Sequence, residues 1–264
     1  MSILTEILFL HVSVMYFKKK ERLLKQNYKG KKIPCGIGIV LGFVSAFYTF
    51  FIYYYVSKIN FLVIGLSFLA ISAVGFIDDI FGDNRSKGFK GHIKRLFNEH
   101  ELSTGLLKMI VIPFVLFTGI LYLTEDMFKA VLYTIFGSLS VNLFNLFDLR
   151  PGRCIKALFV FLVLFGFFIN WSPFCISLLI LLVPIFIGDI KEVFMLGDAG
   201  SNLIGYIFFI ITSELYSRSL NSIVVWIALL IVAALNLASE YISFSEVIEK
   251  NKILKYIDDL GRKN

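Results

Sequence analysis

The sequence predicts an all-α, polytopic membrane protein with about nine transmembrane helices. Of its 264 residues, 58% are hydrophobic, the mean hydropathy is +0.80, and the apolar residues form continuous runs. A soluble protein of this size does not need so much apolar surface. The continuous runs also argue against an outer-membrane barrel, whose strands alternate between apolar and polar residues.

Nine apolar segments follow one another along the chain, and several are shorter than the roughly 20 residues that span a bilayer. We therefore expect their helices to extend into the loops. The segments comprise residues 3–17, 37–56, 61–77, 106–123, 130–147, 155–169, 174–187, 203–215 and 223–238. Residues 1–238 are expected to form one transmembrane domain. Residues 239–264 are expected to form an amphipathic tail on the cytoplasmic leaflet, because apolar residues recur there at helical spacing.

The basic residues predict the orientation of these segments. With Lys156 included, 22 of the 26 Lys and Arg lie on the side that follows the odd-numbered segments, and Lys108 lies near the same side. The positive-inside rule places this side in the cytoplasm, with the amino terminus outside and the carboxyl terminus inside. The net charge of +7 is therefore interpreted as a topology signal, and no nucleic-acid partner is predicted. The three Cys have neither disulfide nor zinc-ligand spacing.

The first polar motif is GFIDD at residues 75–79, where the third segment reaches the cytoplasmic side. Adjacent residues on a helix project about 100° apart, so Asp78 and Asp79 are expected to serve different partners. One carboxylate can hold a cation while the other accepts a proton or orients a lysine. The alternative is a solvated helix end.

The second motif is NLFNLFD at residues 142–148, at the end of the fifth segment. Asn142, Asn145 and Asp148 are spaced by three residues and lie along one helix stripe. Three oxygen-bearing side chains on one stripe suit a hard cation such as Mg²⁺. The alternative is interhelical hydrogen bonding by the asparagines.

The third motif is MLGDAGSN at residues 195–202, before the eighth segment. A carboxylate at a membrane boundary is costly unless water, a cation or a metal meets it, which makes Asp198 a candidate ligand. Ser201 and Asn202 are predicted to cap the eighth helix, whose amino-terminal end would then favour phosphate oxygens. The alternative is an ordinary Gly-Asp loop.

The three motifs, in this order and at these membrane positions, resemble those of the polyprenyl-phosphate N-acetylhexosamine-1-phosphate transferases. This group, also called glycosyltransferase family 4, includes phospho-N-acetylmuramoyl-pentapeptide transferase. The resemblance covers about residues 30–205. It implies a multi-pass enzyme of the bacterial plasma membrane that acts at the cytoplasmic face in cell-envelope polysaccharide synthesis. Its substrates would be polyprenyl phosphate and a UDP-sugar, UMP would be released, and Mg²⁺ or Mn²⁺ would be required. Related enzymes are often homodimers.

The resemblance also implies roles for individual residues. Asp78 and Asp79 match the family's acidic pair, which is expected to deprotonate or position the lipid phosphate. Asn145 and Asp148 match its Asn-x-x-Asp element, and Asp198 matches its Gly-Asp metal ligand. The metal ligands are thus expected to be Asn145 and Asp198. Substrate contacts are expected from Asn142, Asp148 and Lys94, of which Lys94 matches a basic residue of the second cytoplasmic loop.

The chain departs from the family in two places. The Asn-x-x-Asp element continues as DLRPGR at residues 148–153, where the family has glycines and often another Asp. Arg150 and Arg153 in this loop suit phosphate recognition, because a guanidinium binds phosphate through a planar fork. Residues 239–264 are not expected to supply the family's His-rich loop or its final helix, and no His follows residue 100 in this sequence.

Two other function classes stay open beside the transferase. One is a catalytically silent relative that binds polyprenyl phosphate and regulates envelope synthesis, which the missing histidines favour. The other is a transporter. The gathering of polar motifs at one face argues against a transporter, because transporter sites usually lie near the midplane of the bilayer.

Overall fold

The computed structural model describes residues 3–82, 103–215 and 222–262. These residues are almost entirely helical, apart from one turn of 3-10 helix at Glu21–Leu23 and an antiparallel hairpin of β1 (Leu24–Gln26) and β2 (Lys32–Pro34). The α-helices in this part of the chain are α1 (Ile3–Phe17), α2 (Gly38–Val56), α3 (Ile59–Phe81), α4 (Thr104–Leu121), α5 (Met127–Phe147), α6 (Arg153–Phe165), α7 (Pro173–Ile190), α8 (Gly197–Ser213), α9 (Ser222–Ser239), α10 (Phe244–Lys250) and α11 (Lys252–Asp259).

The all-α class and the membrane character are confirmed. Helices α1 to α9 coincide in order with the nine predicted apolar segments. Five of the described helices, α2, α3, α4, α5 and α7, are long and apolar enough to cross a membrane, and the bent pair α9–α10 raises the number to six. Nine crossings and their orientation stay predictions.

Helix α8 is the central helix of the described bundle. Sixteen of its 17 residues are buried, and the exception is Asp198. The helix packs against α2, α3 and α5. A helix that is apolar on all sides requires this kind of enclosure. The ring of Phe208 illustrates it, because its centroid lies 5.4 Å from those of both Phe144 and Phe161.

Glycines allow α8 to approach its neighbours at backbone distance. A Cβ atom on Gly38 would overlap the backbone of Gly200, and one on Gly75 would lie 2.6 Å from the carbonyl oxygen of Asp198. A Cβ on Gly205 would lie 2.6 Å from the carbonyl oxygen of Ser140. Small residues at such contacts are typical of membrane helices, which associate mainly through close packing.

The β-hairpin was not predicted from the sequence, and it is fixed to the loop that leads into α8. The side-chain oxygen of Asn27 accepts the backbone N–H of Lys29 at 3.0 Å, which shapes the turn. The Glu192 carboxylate accepts a hydrogen bond from the Asn27 amide at 2.8 Å and pairs with Lys29 at 2.9 Å. The carbonyl of Pro34 accepts the N–H of Met195 at 2.7 Å. The hairpin therefore holds the segment just before Asp198.

The tail differs from the single amphipathic stretch predicted for residues 239–264. It forms two short helices, α10 and α11, that separate at Asn251, whose side-chain oxygen accepts the N–H groups of Ile253 and Leu254 at 3.0 and 3.1 Å. Helix α10 is bent by 95° from α9. The ring of Phe244 stacks on Phe147 with centroids 5.1 Å apart. The tail thus folds back against the end of α5.

A buried ion cluster anchors the tail. The Asp258 carboxylate accepts two hydrogen bonds from Arg153, at 2.8 and 2.7 Å, and two from Arg262, at 2.6 and 3.0 Å. Arg262 also donates to the carbonyl of Pro151 at 2.9 Å. Burial of Asp258 opposes its ionisation, but the hydrogen bonds and charges of both arginines prevail and lower its pKa to about 2.

The close contact of α2 and α8 predicts that Gly38→Ala destabilises the protein. The added methyl group meets backbone, which cannot rotate away, so the two helices must separate. We expect a loss of about 2–3 kcal/mol in the free energy of unfolding, measured in detergent by titration with sodium dodecyl sulfate. Tyr54→Ala is the control, because this side chain of α2 is 78% exposed. Equal stability of the wild type and Gly38→Ala would contradict the packing described.

The ion cluster predicts that Asp258→Asn releases the tail, whereas Asp259→Asn, at a side chain that is 53% exposed, does not. Losing the charge between two buried arginines should cost about 3 kcal/mol. The measurement is hydrogen–deuterium exchange of the backbone amides of α10 and α11.

Acid should act in the same way on the wild type. Because the pKa of Asp258 is lowered, its anchoring is fully present above about pH 4, the ordinary pKa of Asp, and is lost as the pH falls through about 2. Unchanged exchange in Asp258→Asn would show that the cluster does not hold the tail.

Candidate functional site

Four helix ends meet at one end of the bundle and bring four polar side chains together. Asp78 lies in the last turn of α3, Lys108 in the second turn of α4, Asn145 in the last turn of α5, and Asp198 in the first turn of α8. Three of these residues were predicted from the sequence as site residues. The motifs thus converge as expected, although they lie far apart along the chain.

The ammonium group of Lys108 lies at the centre of this cluster. Its Nζ atom is 2.5 Å from Oδ2 of Asp198 and 3.4 Å from Oδ2 of Asp78. The exposed fractions of the three side chains are 15% for Lys108, 16% for Asp78 and 28% for Asp198. One lysine therefore balances two carboxylates in partly desolvated surroundings, where attraction between charges is stronger than in water.

The amide of Asn145 completes the cluster. In the orientation that satisfies all its neighbours, its oxygen accepts from Lys108 Nζ at 3.1 Å and its nitrogen donates to Oδ1 of Asp198 at 3.0 Å. The same nitrogen donates to the hydroxyl of Ser201 at 2.8 Å, and this hydroxyl donates to the carbonyl of Gly197. Three oxygens from three helices thus face one cation.

Asp79 has a different environment from its neighbour Asp78. It is buried, and its two carboxylate oxygens accept the backbone N–H groups of Asp198 and Ala199 at 2.9 and 3.0 Å. N–H groups at the amino-terminal end of a helix such as α8 have no partner within the helix, and negative charge is favourable there. These contacts allow Asp79 to position Asp198, and its predicted catalytic role stays a prediction.

The predicted capping of the eighth helix by Ser201 and Asn202 is wrong. The helix begins at Gly197, so both residues lie inside its first two turns. Asp79 from α3 takes the capping role instead. Gly197 has a φ of +68°, and a Cβ atom there would lie 2.5 Å from both Asp79 oxygens. Glycine therefore suits both the left-handed backbone and the close approach of the carboxylate.

The predicted stripe of Asn142, Asn145 and Asp148 serves more than one purpose. Asn142 donates to the side-chain oxygen of Asn236 in α9 at 2.7 Å, which is the interhelical hydrogen bond named as the alternative. Asp148 follows the last residue of α5. Burial first, and then the charges of Asp189, Asp198 and Asp79, raise its pKa well above the ordinary value. Asp148 therefore lies near the site, while Asn142 contacts a neighbouring helix.

The three predicted basic contacts have different outcomes. Arg150 pairs with Glu249 at 3.3 Å and lies over the ring of Tyr28, 4.6 Å from its centroid. Arg153 is 4% exposed, and its guanidinium donates hydrogen bonds to two residues of the tail, the carboxylate of Asp258 and the hydroxyl of Ser245. Its contacts are thus those of an anchor rather than of a substrate ligand. Lys94 lies outside the described residues.

The residues around Lys108 fit a divalent cation by their chemistry. Carboxylate and amide oxygens are the ligands that Mg²⁺ prefers, and Asp78, Asn145 and Asp198 supply three of them. These oxygens face the ammonium of Lys108, so a metal at the same point would require the lysine to move aside. Among the residues that the structure describes, no three His, Cys, Asp or Glu side chains are placed to hold a metal between them.

Sequence reasoning assigned no role to Lys108, although a signal was present. It is the one charged residue in the predicted segment 106–123. Ionisable side chains within apolar segments are rare and usually pair with another polar group or mark a functional site. Its place near the charged side of the membrane also put it close to the three acidic motifs.

No family model, curated protein or solved structure matches the chain. The resemblance to the sugar-1-phosphate transferases therefore rests on three motifs and their order. What the structure adds is the proximity of Asp78, Asn145 and Asp198, which belong to three different motifs and lie within contact distance of one lysine.

The cluster predicts that Lys108→Ala lowers stability and increases the response to Mg²⁺. Without its ammonium, two carboxylates repel each other, which should cost about 2 kcal/mol. A divalent cation can then bind between them and restore part of the loss. Thermal unfolding in detergent, with and without MgCl₂, measures both effects. Lys129→Ala is the control, because this lysine forms an exposed pair with Asp126 at 3.8 Å. An equal Mg²⁺ response in the wild type and Lys108→Ala would count against a cation site here.

Proposed function

We propose that the protein transfers a sugar-1-phosphate, such as N-acetylhexosamine-1-phosphate, from a UDP-sugar to polyprenyl phosphate. The observation that supports this is the convergence of Asp78, Asn145 and Asp198 on the ammonium of Lys108. Phosphoryl transfer mainly needs positioning and neutralisation of the charge that develops on the phosphate oxygens. A cluster of cation and carboxylates at the end of an apolar helix bundle suits a reaction between a lipid phosphate and a water-soluble nucleotide.

The reaction is a displacement at phosphorus. An oxygen of the polyprenyl phosphate attacks the phosphorus that bears the sugar, and a new phosphorus–oxygen bond forms. The bond from this phosphorus to the UMP oxygen breaks, and UMP leaves with its electron pair. A lipid diphosphate sugar remains. A proton on the attacking phosphate would pass to the partly exposed Asp78 carboxylate.

The site residues have distinct roles in this proposal. Lys108 neutralises negative charge on the reacting phosphates, and Asp78 orients the lysine and accepts the proton. Asp198 and Asn145, joined by a hydrogen bond of 3.0 Å, would hold Mg²⁺. When bound, Mg²⁺ would add positive charge against the diphosphate of the UDP-sugar. Asp79 keeps Asp198 in place through the backbone of α8.

The proposal includes a membrane arrangement. The protein would cross the bacterial plasma membrane nine times, with its amino terminus outside and the site at the cytoplasmic face, where UDP-sugars are available. The distribution of Lys and Arg supports this orientation. Successive helices that cross a membrane alternate in direction. The proposed orientation is therefore consistent with the structure, in which the ends of α3 and α5 meet the starts of α4 and α8.

A second candidate is a catalytically silent protein that binds polyprenyl phosphate and regulates envelope synthesis. Lys108 favours it, because its ammonium lies where a metal would have to bind. The absence of any His beyond residue 100 also favours it. In this case Lys108 would bind the lipid phosphate without any transfer.

The test is UMP release by the purified protein in detergent with undecaprenyl phosphate, Mg²⁺ and a panel of UDP-sugars. We expect release by the wild type and about a 100-fold lower rate for Asp198→Asn, because removing one charged group that stabilises the transition state has effects of this size. Asp126→Asn is the control, since this carboxylate caps the opposite end of α5.

The two candidates give opposite results in this assay. A folded wild type without UMP release across the panel would contradict the transferase. Binding of undecaprenyl phosphate that persists in Asp198→Asn, without turnover in either protein, would support the silent relative. Turnover that Asp198→Asn abolishes would eliminate the silent relative.

A further inference from the structure

A polar cavity lies between the hairpin turn, the loop 149–153 and the folded-back tail. Its volume is about 480 Å³, within the range of small-ligand sites. The hairpin contributes Tyr28 and Lys29, the loop and the start of α6 contribute Arg150 and Arg153, and the tail contributes six residues that include Lys255. Three separate parts of the chain therefore build this cavity.

Positive charge predominates in the cavity. Five basic side chains line it, against the three carboxylates of Glu249, Asp258 and Asp259. Two of the basic residues, Arg153 and Arg262, bind Asp258 with four hydrogen bonds and hold the tail in place. The remaining three, Lys29, Arg150 and Lys255, come from the three different parts of the wall.

Carboxylates of the cavity wall itself hold these three cations less tightly. Arg150 pairs with Glu249 at 3.3 Å, and Glu249 is 56% exposed, so the pair contributes little. Lys29 pairs with Glu192, which lies outside the wall of the cavity. For Lys255, no carboxylate among the described residues lies within ion-pair distance. The wall therefore offers positive charge to a ligand.

Arg150 is also oriented for binding. Its guanidinium lies 4.6 Å from the centroid of the Tyr28 ring, and stacking of this kind limits the rotation of the long side chain. A planar guanidinium that is held in one orientation binds a phosphate through two parallel hydrogen bonds. A carboxylate has two oxygens, which Arg150 alone would satisfy, whereas a diphosphate carries further charged oxygens for the other cations of the wall, Lys255 and Lys29.

We propose that this cavity binds a diphosphate or another phosphate-bearing anion, and that the tail forms one wall of the site. The ligand could be a free phosphate compound or the headgroup of an anionic lipid, since both present the same oxygens. The proposal does not depend on the transferase reaction, because it concerns the wall of Arg150, Lys255 and Lys29 and not the cluster around Lys108.

The test uses the full-length protein in neutral phosphatidylcholine nanodiscs. Its affinity for inorganic pyrophosphate is measured by isothermal titration calorimetry. We expect Lys255→Ala and Arg150→Ala each to weaken binding about tenfold, as the loss of one charged contact does. Lys252→Ala is the matched control, because it removes the same charge from the same helix at a residue outside the cavity wall. Its affinity should stay within about twofold of the wild type.

A second arm identifies the source of the phosphate. The titration is repeated in nanodiscs in which about a quarter of the lipid is anionic phosphatidylglycerol. If a lipid headgroup is the ligand, pyrophosphate binds the wild type more weakly there, and the weakening disappears in Lys255→Ala. If a free compound is the ligand, the lipid has no effect. Either outcome supports a phosphate site.

Two results would overturn the proposal. One is the absence of pyrophosphate binding to the folded wild type up to about 10 mM in neutral nanodiscs. The other is a loss of affinity in Lys252→Ala equal to that in Lys255→Ala, which would show attraction to the general charge of the tail. UMP release is measured on the same variants, so failure of the anion site and failure of the transferase are distinguishable.

Discussion

The contact between the Asp79 carboxylate and the start of α8 is the interaction on which the candidate site depends. Two backbone N–H groups of α8 donate to this one side chain of α3, at 2.9 and 3.0 Å. They fix the first turn of α8 and with it the direction of Asp198. Gly38 and Gly75 allow the contact, because larger residues would push α2 and α3 away from α8. The position of the charged side chains therefore depends on the close packing of these helices.

Charge balance explains how the polar cluster can exist at the end of an apolar bundle. Two partly exposed carboxylates so close together would repel each other strongly without a cation. Lys108 supplies the cation from the neighbouring helix, and Asn145 fills the remaining space with a neutral group that both donates and accepts. The cluster is thus self-sufficient in the absence of a ligand. It also remains suited to one, because an incoming phosphate can share the lysine with the carboxylates.

The sequence predicted the helices and the meeting of three motifs, but it did not predict which residue of each motif makes which contact. Apolar runs and charge spacing define α1 to α9, since a bilayer allows few alternatives to helices. Adjacent residues such as Asp78 and Asp79 were expected to have different partners, and they do. Which of them faces Lys108 depends on the rotation of α3 against α8. No local pattern records that rotation.

The same limit applies to the asparagines and arginines. Asn142 and Asn145 have the same residue type and lie one turn apart, yet one contacts α9 and the other the cluster. From its local sequence Arg153 was expected to bind phosphate. Its actual partner, Asp258, lies 105 residues further along the chain and is not part of any local pattern. Contacts between residues so far apart in the sequence can be recognised only from the structure, in which the tail folds back.

The two departures from the transferase family turn out to be connected in space. The loop that carries Arg150 and Arg153 differs from the family, and so does the carboxyl-terminal part that lacks histidine. In the structure the first holds the second: Arg153 binds Asp258 and Arg150 pairs with Glu249. Without Arg153, Asp258 would keep only Arg262 as a partner. Without the tail, Arg153 would be a buried cation that has lost its carboxylate, at a cost of several kcal/mol. Arg153 is therefore better understood as the partner of the tail than as a phosphate ligand, whereas Arg150, whose pair with Glu249 is partly exposed, stays available to the anion. The cluster around Lys108 shares no residue with either of these two parts.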